Sequence, residues 1–239
     1  SKKMNKSTNL PLDQFINHAL YNKENGYYMK KNPFGKDGDF ITSPNITRLF
    51  SEIIAIWVIT FWKSIGSPKK FNLIELGAGN GEMMKVVSET LKNFPDCFDS
   101  CNLIIHEKSS YLINEQKKNL NSEKIIWVNE VEMDNTFPCI YLANEFFDAL
   151  PIKQFFKKEN NWFERYVNLK TYKKAEFNDK EVNIKIIEQE LKFEISKDQD
   201  IIEYSPEAFR YLEKICKIIE KRDGGLLIID YGYLDLKIK

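Results

Sequence analysis

Apolar residues along this chain follow two rhythms, and the rhythm changes where the elements should change. Residues 11 to 22 read as a helix that starts at Pro11 and stops near Gly26. A turn-rich run, "NPFGKDGDFITSP" (32 to 44), follows, and Ser43 before Pro44 suits an N-cap and a first helical residue. Beyond it Leu49, Ile53, Ile56, Trp57 and Phe61 recur near the 3.6-residue period, and Gly66 and Pro68 end the run. Short apolar strands then alternate with helices. The strands are "FNLIEL" (71 to 76), "NLIIHE" (102 to 107), "KIIWV" (124 to 128) and "CIYLAN" (139 to 144); the helices are 81 to 92 and 109 to 120. Strands that are apolar on both faces, separated by helices, predict a parallel sheet with right-handed crossovers.

The alternation breaks after residue 151. "IKQFFKKENNWFERYVNL" (152 to 169) reads as two strands around a polar turn, and "EVNIKIIEQELKFEIS" (181 to 196) as another strand pair. The charge run "KKAEFNDKE" (173 to 181) reads as a solvated loop. Trp162, Glu164 and Arg165 read either as a partner surface or, more plainly, as a buried ring with a surface ion pair. A helix at 206 to 221 and the strand "GLLIIDYG" (225 to 232) resume the parallel pattern. The expected division is an N-terminal helical extension with a covering loop (1 to 70), an α/β core (71 to 151 and 201 to 239) and a β-rich insertion (152 to 200).

Composition narrows the function classes. Of the 239 residues, 35 are Lys or Arg and 35 are Asp or Glu, so no net basic field exists for nucleic acid. The greasiest segment, "LFSEIIAIWVITFW" (49 to 62), carries Glu52 and is too short for a membrane span. The first ten residues have lysines but no apolar core of a secretory signal. Cys97, Cys101, Cys139 and Cys216, with only His18 and His106 to join them, fit neither a disulfide framework nor a metal site. A reducing, cytoplasmic compartment is expected.

The chemistry concentrates in "NLIELGAGNGE" (72 to 82). Gly77, Gly79 and Gly81 permit positive φ and close backbone approach to a ligand, and the following helix points its amides at the same place. A dinucleotide fingerprint needs its third glycine one residue later, and a phosphate loop needs Gly-Lys-Ser/Thr. Glu75 suits a ligand with a positive group, such as S-adenosylmethionine. Glu107, ending the next strand, suits the hydroxyls of a ribose. A tight packing turn beside a solvated acid is the plainer account, and an NAD enzyme the rival one.

The motifs "PFGKDGDFITSP" (33 to 44), "IELGAGNGEMM" (74 to 84), "EKSSYLINEQ" (107 to 116), "NEFFDALPIKQF" (144 to 155), "WFERYV" (162 to 167), "EYSP" (203 to 206) and "GGLLIIDYGY" (224 to 233) occur in an order that resembles the MidA-like methyltransferases. That family includes the mitochondrial complex I assembly-factor arginine methyltransferase. Ala78, Asn80 and Asn45 depart from residues common in the family, but no glycine is lost. The resemblance implies a Rossmann-like class I methyltransferase core and S-adenosylmethionine as methyl donor. It also implies a protein substrate such as a complex I subunit, in the bacterial cytoplasm or the mitochondrial matrix.

On that resemblance the cofactor site comprises Glu75, Gly77, Ala78, Gly79, Gly81 and Glu107, with Asp39 and Ser43 in a loop folding over it. Asn144, Glu145 and Asp148 lie beside the expected methyl group, although an N-cap and first-turn acids would look the same. Asp230 and Tyr231 end the last strand at the same edge. The family continues well past Tyr233, whereas this sequence stops at Lys239, so a fragment or a split gene product is expected. A binding or assembly module without turnover is then the alternative to an enzyme. Strand 225 to 231 would be an exposed edge through which the chain associates.

Overall fold

The computed structural model describes residues 8–22, 24–30, 47–120, 124–132, 136–171, 174–197 and 199–231. Contacts divide the chain into two compact units, residues 1–20 with 150–209 and residues 21–149 with 210–239. The N-terminal helix, expected within a separate extension, therefore falls in the same unit as the β-rich segment.

That first unit is antiparallel. It contains β1 (Thr8–Pro11), α1 (Leu12–Tyr21), β6 (Lys153–Lys158), β7 (Asn161–Thr171), β8 (Lys174–Val182), α7 (Ile184–Leu191) and β9 (Ile201–Tyr204). β7 pairs with β6 along its first half and β1 along its second, while β8 covers the whole of it; β9 pairs with β6. Phe155, Trp162, Ile184 and Ile202 form its core. Glu164 meets Lys153 at 2.6 Å and Arg165 meets Asp179 at 3.5 Å, so the buried Trp162 has ion pairs beside it.

Two expectations fail in this unit. From Lys174 to Glu181 the charged run is not a loop but most of β8, held in register by the long β7 and by Lys158–Asp179 at 3.1 Å. Pairing along an existing strand overrides the weak strand preference of its charged residues. The segment 181 to 196 is not a strand pair: after Val182 it becomes α7. Val182, Ile184 and Ile186 alternate as a strand would, yet Ile186 is exposed while Ile184 and Glu188 are buried, a helical spacing. Asn183 caps the helix by accepting from Lys185 N at 3.1 Å.

The second unit carries a parallel sheet ordered β10-β5-β2-β3-β4. Its strands are β2 (Phe71–Leu76), β3 (Cys101–His106), β4 (Ile125–Val128), β5 (Cys139–Asn144) and β10 (Gly224–Ile229). Its helices are α2 (Tyr27–Lys30), α3 (Arg48–Ser64), α4 (Glu82–Leu91), α5 (Pro95–Ser100), α6 (Ser110–Asn119) and the greater part of α8 (Pro206–Arg222). Every residue of β2 is buried, as a strand covered on both faces must be. Leu73, Leu103, Ile105, Ile140 and Leu142 pack with α3 and α4 in one core.

Helix α3 starts behind Thr47, which accepts from Leu49 N at 3.3 Å; Ser43 lies outside the described residues. Its buried face is Ser51, Ile54, Ala55, Val58, Ile59 and Trp62. Of the residues whose period marks the helix in the sequence, Leu49, Ile53 and Ile56 are exposed, and Trp57 and Phe61 are only partly buried. Apolar residues run round most of this helix, so periodicity alone does not select the face that packs. No helix among the described residues is long and apolar enough to cross a membrane.

Candidate functional site

The strand order fixes where a ligand would sit. From β2 the chain moves outward through β3 and β4, then returns to β5 and β10 on the other side. The carboxyl ends of β2 and β5 therefore flank the switch point, where parallel sheets open a crevice.

The glycine loop leaves β2 at that point. Gly77, Gly79 and Gly81 have φ of +62°, +55° and +86°, conformations costly for any residue with a Cβ. A Cβ on Gly77 would lie 2.8 Å from Phe146, and one on Gly81 would lie 2.9 Å from Leu120. The loop is closed by hydrogen bonds from Gly77 N to His106 O (2.9 Å) and from Gly81 N to Ala78 O (2.7 Å). Ala78 is buried within it. Asn80 accepts from Glu82 N at 3.2 Å where α4 begins.

A second layer braces the loop from α6. Gln116, wholly buried, donates to Gly79 O (2.9 Å) and to Glu107 Oε2 (3.3 Å), and accepts from Trp127 Nε1 (2.9 Å). Asn119 donates to Asn80 O at 3.1 Å. Ser109 caps α6 by accepting from Leu112 N at 3.2 Å, donates to Tyr28 O at 2.6 Å, and its amide donates to Glu107 Oε1 at 2.9 Å. Gln116 was not among the expected site residues. It stands at the end of a quoted motif, but one glutamine on a helix gives no spacing that marks it as a brace.

Two acids are buried here. Glu75 is 4% exposed and Glu107 7%. Burial pushes Glu75 up to about 8, against an amide hydrogen bond from Met84, and the nearby Glu107 charge adds to the rise. Burial also raises Glu107, although the Ser109 amide and Gln116 oppose it. Glu75 Oε2 has no hydrogen-bond partner among the described residues. A buried carboxylate oxygen without a donor is costly, and its natural completion is a cationic or donating ligand. The residues present thus fit a cofactor that brings a positive group and hydroxyls to this loop.

At the end of β5, Asn144 leads to Glu145, which has φ +50° and whose amide donates to Ile229 O at 2.8 Å. A non-glycine residue there stores roughly 1–3 kcal/mol of strain. Asp148 is exposed, and its amide donates to Asp230 Oδ2 at 3.2 Å. Although the residue as a whole is exposed, partial desolvation of its carboxyl, then the charge of Asp230, raises Asp148 above the usual carboxylate range. Asp230 directly follows β10, which pairs with β5, so strand pairing brings together acids 82 positions apart. Asp39 and Ser43 lie outside the described residues. No cluster of His, Cys, Asp and Glu that could hold a metal occurs among the described residues, and the four cysteines are free thiols.

A family model described as "Putative S-adenosyl-L-methionine-dependent methyltransferase" matches residues 53–238. The chain belongs to this family. Among similar curated methyltransferases, the Xenopus laevis mitochondrial protein arginine methyltransferase NDUFAF7 is 30% identical over 95% of this chain. The Homo sapiens protein of the same name is 27% identical over 92%. The chain spans 58% of the length of the first and 55% of the second. A COG1565 superfamily member from Burkholderia thailandensis, crystallised with S-adenosyl-homocysteine, shares the fold with a TM-score of 0.77. It is 21% identical, over 94% of this chain and 59% of that one. The Rossmann-like methyltransferase fold expected from the sequence is the fold observed.

Proposed function

We propose that this chain binds S-adenosylmethionine at the loop 77–81 and, in its whole protein, transfers the methyl group to an arginine of a protein substrate. The observation that carries the reading is the buried pair Glu75 and Glu107 at the mouth of the glycine loop, with Glu75 Oε2 lacking a donor. Glu75 would hold the ammonium of the methionine moiety, and Glu107 would accept from the ribose hydroxyls. Gly77, Ala78, Gly79 and Gly81 would lie along the ligand with bare backbone, and Asp39 and Ser43 would close over it. When bound, S-adenosylmethionine supplies a methyl group on an electron-poor sulfonium.

An arginine acceptor is protonated near neutral pH and therefore a poor nucleophile. Glu145 and Asp148 would fork its guanidinium and align one nitrogen, with Asn144 alongside. As the carbon–nitrogen bond forms, the carbon–sulfur pair returns to sulfur and one nitrogen proton must leave. Asp148, raised by burial and by Asp230, is suited to take that proton. The relatives' names support the acceptor class, and their mitochondrial designation supports the matrix as the compartment. A complex I subunit is the acceptor we propose. Association through β10, the last strand on its side of the sheet among the described residues, belongs to the same proposal.

A methyl-transfer assay with labelled S-adenosylmethionine and mitochondrial lysate tests the reading. Labelled arginine that disappears with Glu145→Ala and Asp148→Asn supports it. Uptake of cofactor with no labelled protein supports a binding module instead, and no uptake refutes both.

A further inference from the structure

Phe146 is not absorbed by the chemistry above, yet it stands on the 145–148 turn and its ring reaches the glycine loop. Its edge lies 2.8 Å from where a Cβ on Gly77 would be. It stands edge-on to His106 at 6.4 Å between centroids and to Tyr211 at 5.1 Å. His106 and Tyr211 are edge-on to each other at 5.5 Å, with Tyr211 Oη 3.5 Å from His106 Nε2. Both are buried, and burial, then the Lys108 charge, lowers the imidazole to about 4, so it stays neutral near pH 7. His106 is itself bonded to the glycine loop through its carbonyl and the Gly77 amide. The strained residue Glu145 immediately precedes the ring.

We propose that Phe146 is a positioning residue: a wedge, backed by His106 and Tyr211, that sets the spacing between the glycine loop and the acids of the 145–148 turn. The inference rests on the cofactor reading above. Edge-to-face contacts fix a ring in two directions, and a close-packed ring transmits small displacements rather than absorbing them. Glycine at 77 is thus required twice, by its φ and by the ring. Removing the ring lets the turn and the loop drift apart, so ligand affinity falls even where the sheet stays intact.

The test is a double-mutant cycle on Gly77→Ala and Phe146→Ala, read by calorimetric affinity for S-adenosylhomocysteine and by melting temperature. Phe146→Ala alone should weaken binding about tenfold. Gly77→Ala should weaken it by more than about tenfold with the ring present and by about threefold less once the ring is gone, the remaining loss coming from its φ of +62°. Affinities that multiply independently, or coupling seen in melting temperature but not in affinity, overturn the inference while leaving the cofactor reading intact. Should Phe146→Ala not fold, Phe146→Leu must show the same sign of coupling. A wild-type chain that takes up no ligand overturns the inference together with the reading it rests on.

Discussion

Glu75 is the residue at which stability and function pull apart. Its carboxyl keeps its proton in the fold up to about pH 8, whereas in the unfolded chain it loses it near 4.5. Between those values the folded state binds one more proton than the unfolded state. Stability should therefore fall as pH rises through that window, by at most about 1.4 kcal/mol per unit. A cationic ligand favours the ionised acid, so binding near neutral pH should release a proton and affinity should rise with pH toward 8. Titrations in buffers of different ionisation enthalpy count that proton. Glu75→Gln should raise the melting temperature at pH 7.5, abolish the proton release and weaken the ligand at least tenfold. Unchanged proton release in Glu75→Gln would locate the titration elsewhere. This acid was legible in the sequence because it directly precedes the glycines. Asp230 was placed at the same edge, but its bond to the Asp148 amide across 82 positions was not legible, and neither was Gln116, which acts from a neighbouring helix.

Among the elements, the parallel strands were readable because burial on both faces leaves a continuous apolar run, as in β2 and β5. β8 and α7 were not. Charged residues paired to a long neighbour look like a loop, and Ile184 with Ile186 imitates strand alternation although only the first is buried. The face of α3 was hidden for a related reason: it is apolar nearly all round, and the sheet decides which stripe is covered. β10 makes two predictions. A Cβ on Gly224, at φ +132°, would lie 1.9 Å from the Cys139 carbonyl oxygen, so Gly224→Ala should cost on the order of 3 kcal/mol or more in urea melts. Ile228 is exposed on the same strand, and β10 is the last strand on that side among the described residues. If association occurs there, sedimentation should show concentration-dependent dimers that Ile228→Lys removes. A monomer at all concentrations would refute the edge.

At the scale of the molecule, the two units have unequal cores. The parallel sheet buries a large cluster that extends from α3 through β2 and β3, whereas the antiparallel unit centres on Phe155, Trp162, Ile184 and Ile202. Amide exchange should be slowest in β2 and β5 and faster throughout β6 to β9. Exchange that is slowest in β7 would contradict this distribution. Methyl transfer by this molecule requires the loop between β2 and α4 to be a seat for S-adenosylmethionine. Titration calorimetry with S-adenosylhomocysteine on the wild type and on Glu107→Ala addresses that most directly. The predicted result is saturable binding at one site per chain, weakened at least tenfold by the substitution. No heat from the wild type, or equal affinity in both proteins, would contradict it.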